Sequence, residues 1–490
     1  MNLISVIVTV TTINYRFHFK YFIIWYSFNL IAISNTSAQN FHALNGSSYT
    51  GSASIFNNPA SPNNSLQKWD LNIFAFQLSN ITNTIYAKNL KLPSFSNTSI
   101  QLTEGNFNRY NHQTVDINLF NAMYQIDKKQ TISGGIRLRT YSHLKASAFE
   151  ANDSTSSLKQ FLINNRTTPF LQGFATQSGW LEGNLNYSRV IYETSGGRLS
   201  GGITLQILKN VSGAYSRLNR LSYLETQSAT DTSYTFTGGS GSFAYSSNYD
   251  VLSDNISLQG NINQMIKASS GGVGLSLGIE YILFNKNASV GENEPKPYDW
   301  KLGLSIMDIG ASKYSTSVFT GQFSDPNQLI TDGDLSRKFN DINSARDLRD
   351  SLATIFNTVT PLANSFSINS PSRMIINIDR ALGNHFFANF QLSMNFRSTS
   401  NLNKLNTREL NLLTVTPRWE TNLWGIYFPM QYNTQGQFWI GTALKAGPLV
   451  AGIHSLGILK KDPLLNGGGY LMISIHPFQK RTYSTRLDCL

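Results

Sequence analysis

Cysteine is all but missing from this 490-residue chain. Cys489, next to last, is the only one, so no intramolecular disulfide can form and no thiolate metal site can be built. A chain exported past an oxidising compartment avoids mispairing in this way. Charge is scarce too, at 14% of residues against about 25% in an ordinary soluble domain. Beyond the first forty residues no apolar run reaches the ~20 residues that a membrane helix needs. The formal charge of +11 contains no polybasic run, which leaves no signal for nucleic acid. The seven histidines lack metal spacing, and no phosphate or calcium loop is present. No metal, no cofactor and no enzymatic activity are expected.

The hydrophobic fraction is nonetheless 41%, and its distribution is informative. Phe386, Ala388, Phe390, Leu392, Met394 and Phe396 fall on one phase of a period-two pattern, with Asn389, Gln391, Ser393, Asn395 and Arg397 on the other. Val273, Leu275, Leu277, Ile279, Tyr281 and Leu283 repeat it against Gly272, Gly274, Ser276, Gly278 and Glu280. Period two means strands with one apolar face. Low charge without membrane helices fits strands that turn that face to lipid. The expected fold is all-β: a transmembrane antiparallel β-barrel of about 14 strands, with 16 as the alternative count. A large soluble β-sandwich or β-helix is the competing reading.

The fourteen strands are expected at 70–80, 114–126, 131–142, 180–192, 199–208, 270–283 and 298–309, then at 373–382, 385–397, 408–419, 423–432, 437–445, 449–456 and 469–478. Weaker candidates at 81–90, 234–245 and 313–323 would raise the count. Gly383-Asn384 suits a two-residue hairpin. The stretches 144–179, 209–234 and 324–371 read as long polar loops, one of them carrying an amphipathic helix over 334–357. Asp332 or Asp334 is the expected cap of that helix.

Residues 1–38 read as a signal peptide: Arg16 and Lys20 precede the apolar stretch from Phe22 to Ile33, and small residues lead to a cut at Ala38-Gln39. Its loss takes the charge from +11 to +9. Residues 39–68 are rich in Asn, Ser and Gly, which is turn chemistry. The barrel is expected over 69–478, with a basic tail over 479–490.

The polar phase of the strands should face the lumen, and it carries Arg137, Arg139, Glu280, Lys301, Arg373, Asp379, Arg397 and Lys445. A salt-bridged lumen that holds the strands in register is the plainer reading of these charges; a polar conduit is the functional one. Asp308 falls on the apolar phase of Trp300, Leu302, Leu304 and Ile306, so the strand should bulge or end there. His143 and His385 read as polar rim residues, and Trp300, Trp419, Trp424 and Trp439 as interface girdles. Gly274-Leu275-Ser276-Leu277-Gly278 matches a nucleophile elbow, but that motif needs a sharp strand-to-helix turn, and this serine lies in mid-strand.

Asn58-Pro59-Ala60 resembles the N-terminal signature of the FadL-like (long-chain fatty acid transporter) barrels, a superfamily that includes PorV-like proteins. Lys301 to Ile306 with Asp308-Ile309-Gly310 and Tyr314, and Pro371-Ser372-Arg373, carry the likeness further. So do Thr416-Pro417-Arg418, Gly425 to Pro429, and Ala446-Gly447-Pro448-Leu449 with Gly452. Together they resemble an uncharacterised Bacteroidota family of outer-membrane barrels related to that superfamily. The resemblance implies a cell outer membrane location and a fourteen-stranded barrel whose segment 39–68, with its hatch motif Asn58, Pro59 and Ala60, folds inward. The resemblance imports no activity; the expected function is passive transport or binding of hydrophobic or amphipathic small molecules. The alternative is a non-transporting scaffold that partners a secretion or surface-attachment complex. The expected partners are outer-membrane lipid, a hydrophobic ligand and a secretion-machinery protein.

Overall fold

The computed structural model describes residues 42–89, 98–152, 157–227, 232–253, 255–285, 297–340, 342, 344–383, 385–397, 405–460 and 463–476. The expected leader, the basic tail with Cys489, and Asn384 of the Gly383-Asn384 turn lie outside them.

Alternating sequence becomes a closed antiparallel barrel of fourteen strands. In chain order they are β1 (Trp69–Thr82), β2 (Gly105–Asp127), β3 (Gln130–Ala151), β4 (Leu171–Glu193), β5 (Gly197–Gln227), β6 (Gly271–Phe284) and β7 (Tyr298–Ser315). The circuit continues through β8 (Arg373–Gly383), β9 (Phe386–Asn395), β10 (Leu412–Glu420) and β11, split into Trp424–Tyr427 and Met430–Asn433. It ends with β12, split into Phe438–Ile440 and Thr442–Ala446, then β13 (Leu449–Ile453) and β14 (Gly467–Ile475). Closure is direct: β1 pairs with β2 on one side and with β14 on the other. Pro429 and Gly441 mark the breaks in β11 and β12, and the ladder is carried across by the Gly441 amide bonding the Pro429 carbonyl at 2.8 Å.

The outward phase bears Ile136, Leu185, Leu205, Ile279, Leu304, Phe390 and Leu444, all solvent-exposed in the isolated chain. Apolar side chains left outside on every wall make sense only against hydrocarbon, so the barrel spans a bilayer. Trp300 and Trp424 stand on this outer surface. Trp439 does not: it points inward, is buried, and donates its indole N–H to Gln431 at 2.8 Å. It sits on the same phase as Gly441, Ala443 and Lys445, which the girdle reading overlooked.

One end is trimmed by mostly short turns, and the chain enters β1 and leaves β14 there. At the other end the strands run on. A tilted strand crosses a bilayer in about 9–11 residues, yet β4 has 23 residues and β5 has 31. The stretch expected as a loop at 209–234 is therefore largely strand, and that at 144–179 is strand at both ends. Above the bilayer both faces meet water or a second core, so the alternation that betrays a strand is lost. Strands Thr232–Tyr245, Gly321–Pro326 and Phe356–Thr360 widen this upper sheet beside β5 without entering the barrel circuit, which holds the barrel at fourteen strands.

A separate apolar core caps this end. Phe149, Leu171, Leu221, Tyr234, Phe236 and Phe323 meet helix α1 (Leu158–Asn164) and two further helices. A short helix α2 (Leu258–Ala268) leads into β6. The single helix expected at 334–357 is two, α3 (Asp332–Asn340) and α4 (Ala345–Ile355), and Phe356 already begins a strand. Each has its own start. The Asp347 amide bonds the Ser344 hydroxyl at 3.1 Å. Thr331, not Asp332 or Asp334, caps α3: the Asp334 amide reaches the Thr331 hydroxyl at 3.4 Å while the Asp334 carboxylate accepts from the Thr331 amide at 3.2 Å. This is a reciprocal capping box. Asp332 instead accepts the Tyr234 amide at 2.8 Å, tying α3 to the upper sheet. Leu335 and Phe339 of α3 and Ile355 of α4 are buried in the cap.

Candidate functional site: a plugged lumen

Residues 43–67 lie inside the turn-end half of the barrel as three short 3₁₀ turns. The segment has too few apolar residues to form a core of its own. It is held instead by the wall, mostly through polar contacts. Asn45 bonds Gln391, and the Ser47 hydroxyl bonds Glu420 at 2.6 Å. The Ser52 amide donates to Asp70 at 2.6 Å, and Asn121 donates to the Ser52 carbonyl at 2.7 Å. Lys301 donates to Ser48 at 2.8 Å and to the Gly46 carbonyl at 3.0 Å. Glu280 accepts from Ser61 at 2.6 Å and from Asn64 at 2.7 Å. Ala43, Leu44, Ala53 and Phe56 add an apolar contact against Ala75, Tyr427, Val450, Tyr470 and Met472.

Asn58-Pro59-Ala60 is seated most closely of all. Asn58 donates to the Ile279 carbonyl at 2.9 Å and accepts from the Ala60 amide at 2.9 Å, and Asn186 donates to the Pro59 carbonyl at 3.0 Å. Three neighbouring strands make room by presenting glycine. A Cβ on Gly202 of β5 would fall on the Pro59 carbonyl. One on Gly278 of β6 would lie 2.8 Å from Pro59 Cδ, and one on Gly303 of β7 would lie 2.9 Å from Asn58 Nδ2. Gly278 belongs to the sequence that mimics a nucleophile elbow; its Ser276 instead accepts the Asp308 amide at 3.0 Å.

Asp308 explains why it stands on the wrong phase. Its φ of +56° and a register shift between Ile306 and Ile309 mark a bulge that turns its side chain into the lumen, and the strand continues to Ser315. There it joins a buried cluster just above the plug. Arg139 grips its two oxygens at 2.8 and 2.9 Å, Arg373 bonds it at 2.9 Å, and Gln206 donates at 3.0 Å. Glu182 accepts from Arg137 at 2.9 Å, Asp116 lies 3.2 Å from Arg137, and Glu409 lies 2.8 Å from Arg373. Four carboxylates thus face three guanidinium groups, and tight bonding of this kind offsets the cost of burying charge. A second cluster lies toward the turn end: Arg418 grips Asp379 at 2.6 and 2.9 Å and Glu420 at 3.0 Å, with the Tyr298 hydroxyl on Asp379. Lys445 stands 4.1 Å from the Tyr49 ring of the plug.

Of the charges expected at the lumen, Arg137, Arg139 and Arg373 lie in the first cluster and Asp379 in the second. Glu280, Lys301 and Lys445 touch the plug, and Arg397 is half-buried past the end of β9. Asp116, Glu182, Glu409, Arg418 and Glu420 complete the clusters without having been anticipated. Glu182 was legible, since Trp180, Glu182, Asn184, Asn186 and Ser188 alternate on one phase. Glu409 was not: it falls in the strand expected at 408–419, but β10 begins only at Leu412, and Glu409 enters from the segment before it. His143 is no rim residue. It is buried in mid-strand, 4.2 Å ring to ring from His112, because β3 runs on to Ala151.

A cavity of about 40 Å³ remains between plug and wall, bounded by Ser54, Asn57, Ser61, Lys301, Glu280 and Gln391 among others. It has room for a few waters. Above the charge clusters, Tyr141 stacks on Trp180 and Tyr314 on Phe366, with centroids 5.5 and 5.3 Å apart.

No curated protein matches the chain. Among solved structures it is similar to the Ralstonia pickettii toluene transporter TbuX, with 10% identity, 87% of this chain and 93% of that one covered, and a TM-score of 0.37. It is similar to a Pseudomonas aeruginosa FadL homologue at 9% identity, covering 90% and 98%, with a TM-score of 0.36. The CymD monoaromatic hydrocarbon channel gives 9% identity, 87% and 92% coverage and a TM-score of 0.33. Residues 59–453 match the profile described as Family of unknown function (DUF5723), and the chain belongs to that family.

Proposed function

We propose that this protein is a passive outer-membrane channel for small amphipathic molecules, with residues 39–68 as a hatch that closes it from the turn end. The observation that carries this reading is the seating of residues 43–67. A segment that only filled space would be mainly apolar. This one is polar, lies inside a complete barrel, and is held by hydrogen bonds that water could replace one at a time. The glycine cradle under Asn58-Pro59-Ala60 gives it one defined closed position. On this reading the short turns face the periplasm and the capped end faces outward, in the outer membrane of a Bacteroidota cell.

A second reading, a barrel scaffold for a secretion or attachment partner, is favoured by one observation: buried ion pairs and the plug fill much of the described lumen, with a cavity of about 40 Å³ between plug and wall. Planar-bilayer conductance separates the two. Truncation of residues 39–68 should raise single-channel conductance sharply. Unchanged conductance would sink the hatch, and a stoichiometric protein partner co-purifying with a silent barrel would favour the scaffold.

A further inference from the structure

The plug and the wall that grips it differ in charge. Residues 43–67 contain no Asp, Glu, Lys or Arg. The wall groups that hold them include Glu280, Lys301 and Glu420, all buried. Glu280 spends both oxygens on neutral donors, the Ser61 hydroxyl and the Asn64 amide. Among the described residues no cation pairs with it. Glu420 takes the Ser47 hydroxyl, and Lys301 takes the Ser48 hydroxyl and a backbone carbonyl. Hydroxyl-to-carboxylate and ammonium-to-hydroxyl bonds are charge-assisted and strong. The plug therefore satisfies this wall as a string of hydroxyls and amides.

From this we infer that the solute which displaces the plug is a neutral polyhydroxylated molecule, a sugar, and that Glu280, Lys301 and Glu420 form its subsite. The inference rests on the channel reading above and shifts its solute from the amphipathic class to a hydroxyl-rich one. When the plug withdraws, Glu420 keeps Arg418 and the Tyr427 hydroxyl, but buried Glu280 and Lys301 lose the hydrogen-bond partners just named. A hydrocarbon passing over them would leave each unsatisfied, which is the costly outcome for a buried polar group. A sugar replaces hydroxyl with hydroxyl at the same atoms. Its C–H faces also match what Tyr49 and Phe56 present to Lys445 and Arg137, with ring centroids 4.1 Å from each cation.

The test uses the full chain in proteoliposomes, with Cys489→Ser and a reporter thiol at the plug, Ser54→Cys. Ser54 is partly buried and bonds the Gly51 carbonyl at 2.7 Å, so maleimide labels it when the plug moves. Maltose should raise the labelling rate severalfold and enter the vesicles in a swelling assay, whereas toluene should do neither. Glu280→Ala should raise basal labelling and abolish the further rise with maltose; a merely structural Glu280 would leave the maltose-induced fold-change intact. Labelling driven by toluene and not by maltose overturns the sugar assignment while leaving a channel. Maltose without effect on either readout overturns it as well, and a plug-truncated barrel that is also silent would remove the channel reading beneath it. Should Glu280→Ala fail to fold, the comparison of maltose with toluene decides alone.

Discussion

Adding one methyl group at Gly278 should open this barrel. Gly278 lies opposite Gly202 on the neighbouring strand, at the floor of the cradle under Asn58. The Cβ of Gly278→Ala would stand 2.8 Å from Pro59 Cδ and 3.0 Å from Asn58 Cγ. Strand backbone cannot retreat without breaking its ladder, so the plug must move. Asn58 then loses its bonds to the Ile279 carbonyl and the Ala60 amide, each 2.9 Å long. At about 0.5–1.5 kcal/mol per hydrogen bond, the closed state loses about 1–3 kcal/mol. That raises the open-to-closed ratio about 5- to 150-fold. Single-channel recording at low voltage reads the ratio as open probability. Gly183→Ala is the matched control, since a Cβ there meets nothing within 4 Å. Equal open probability in the two variants would refute the claim that the cradle holds the plug shut.

Three further outcomes follow from the same geometry. Leu304 is exposed on the outward face of β7; Leu304→Arg should cost about 2–4 kcal/mol in urea titrations of folding into vesicles, as charge does near the bilayer midplane, and an unchanged midpoint would mean the outward phase is misassigned. Asp308→Ala strips Arg139 and Arg373 of a shared partner and should destabilise the barrel by about 3–5 kcal/mol in the same assay, the scale for breaking a buried ion pair, with Asp308→Asn retaining part of the loss-free bonding. Outside the membrane, the bonds from Thr331 hold the Asp334 carboxyl below its ordinary range, first through the backbone amide. A depressed carboxyl contributes stability above its unfolded value of about 3.9 and loses it as pH falls further, so amide-exchange protection of α3 should be flat above pH ~4, decline below it, and show no such decline in Asp334→Ala.

The barrel was legible because lipid enforces a strict rule. Wherever a strand crosses the bilayer, one face must be apolar at every second residue, and Phe386 to Arg397 or Gly272 to Leu283 obey this almost without exception. The rule lapses above the membrane, which is why β5 extends to Gln227 through a stretch that reads as loop. It also lapses in the cap, where the turn between α3 and α4 interrupts a continuous three- and four-residue spacing. The candidate site was legible only in part. Asp308 announced a bulge by standing on the wrong phase, and the polar phase yielded Arg137, Arg139 and Arg373. The convergence of those residues was hidden, because Asp308, Ser372 and Arg373 meet across strands: the Ser372 hydroxyl bonds the Asp308 carbonyl at 2.8 Å. The glycines of the cradle looked like ordinary small residues, since what requires them is the approach of a segment more than a hundred residues away.

The most direct test of a movable plug is to fasten and release it in one molecule. With Cys489→Ser, the pair Asn58→Cys and Gly278→Cys suits a disulfide: replacing Asn58 removes the side-chain oxygen that a Gly278 Cβ would strike, that Cβ position lies 3.0 Å from Asn58 Cγ, where the sulfur would sit, and an S–S bond of about 2.05 Å requires about 3 Å there and holds the plug against the remaining crowding. Single-channel current is then recorded before and after a reductant is added to the same bilayer. The account predicts a silent barrel while the bond is intact and openings once it is reduced. Identical current in both states would contradict it, and residues 43–67 would be a fixed part of the barrel's core.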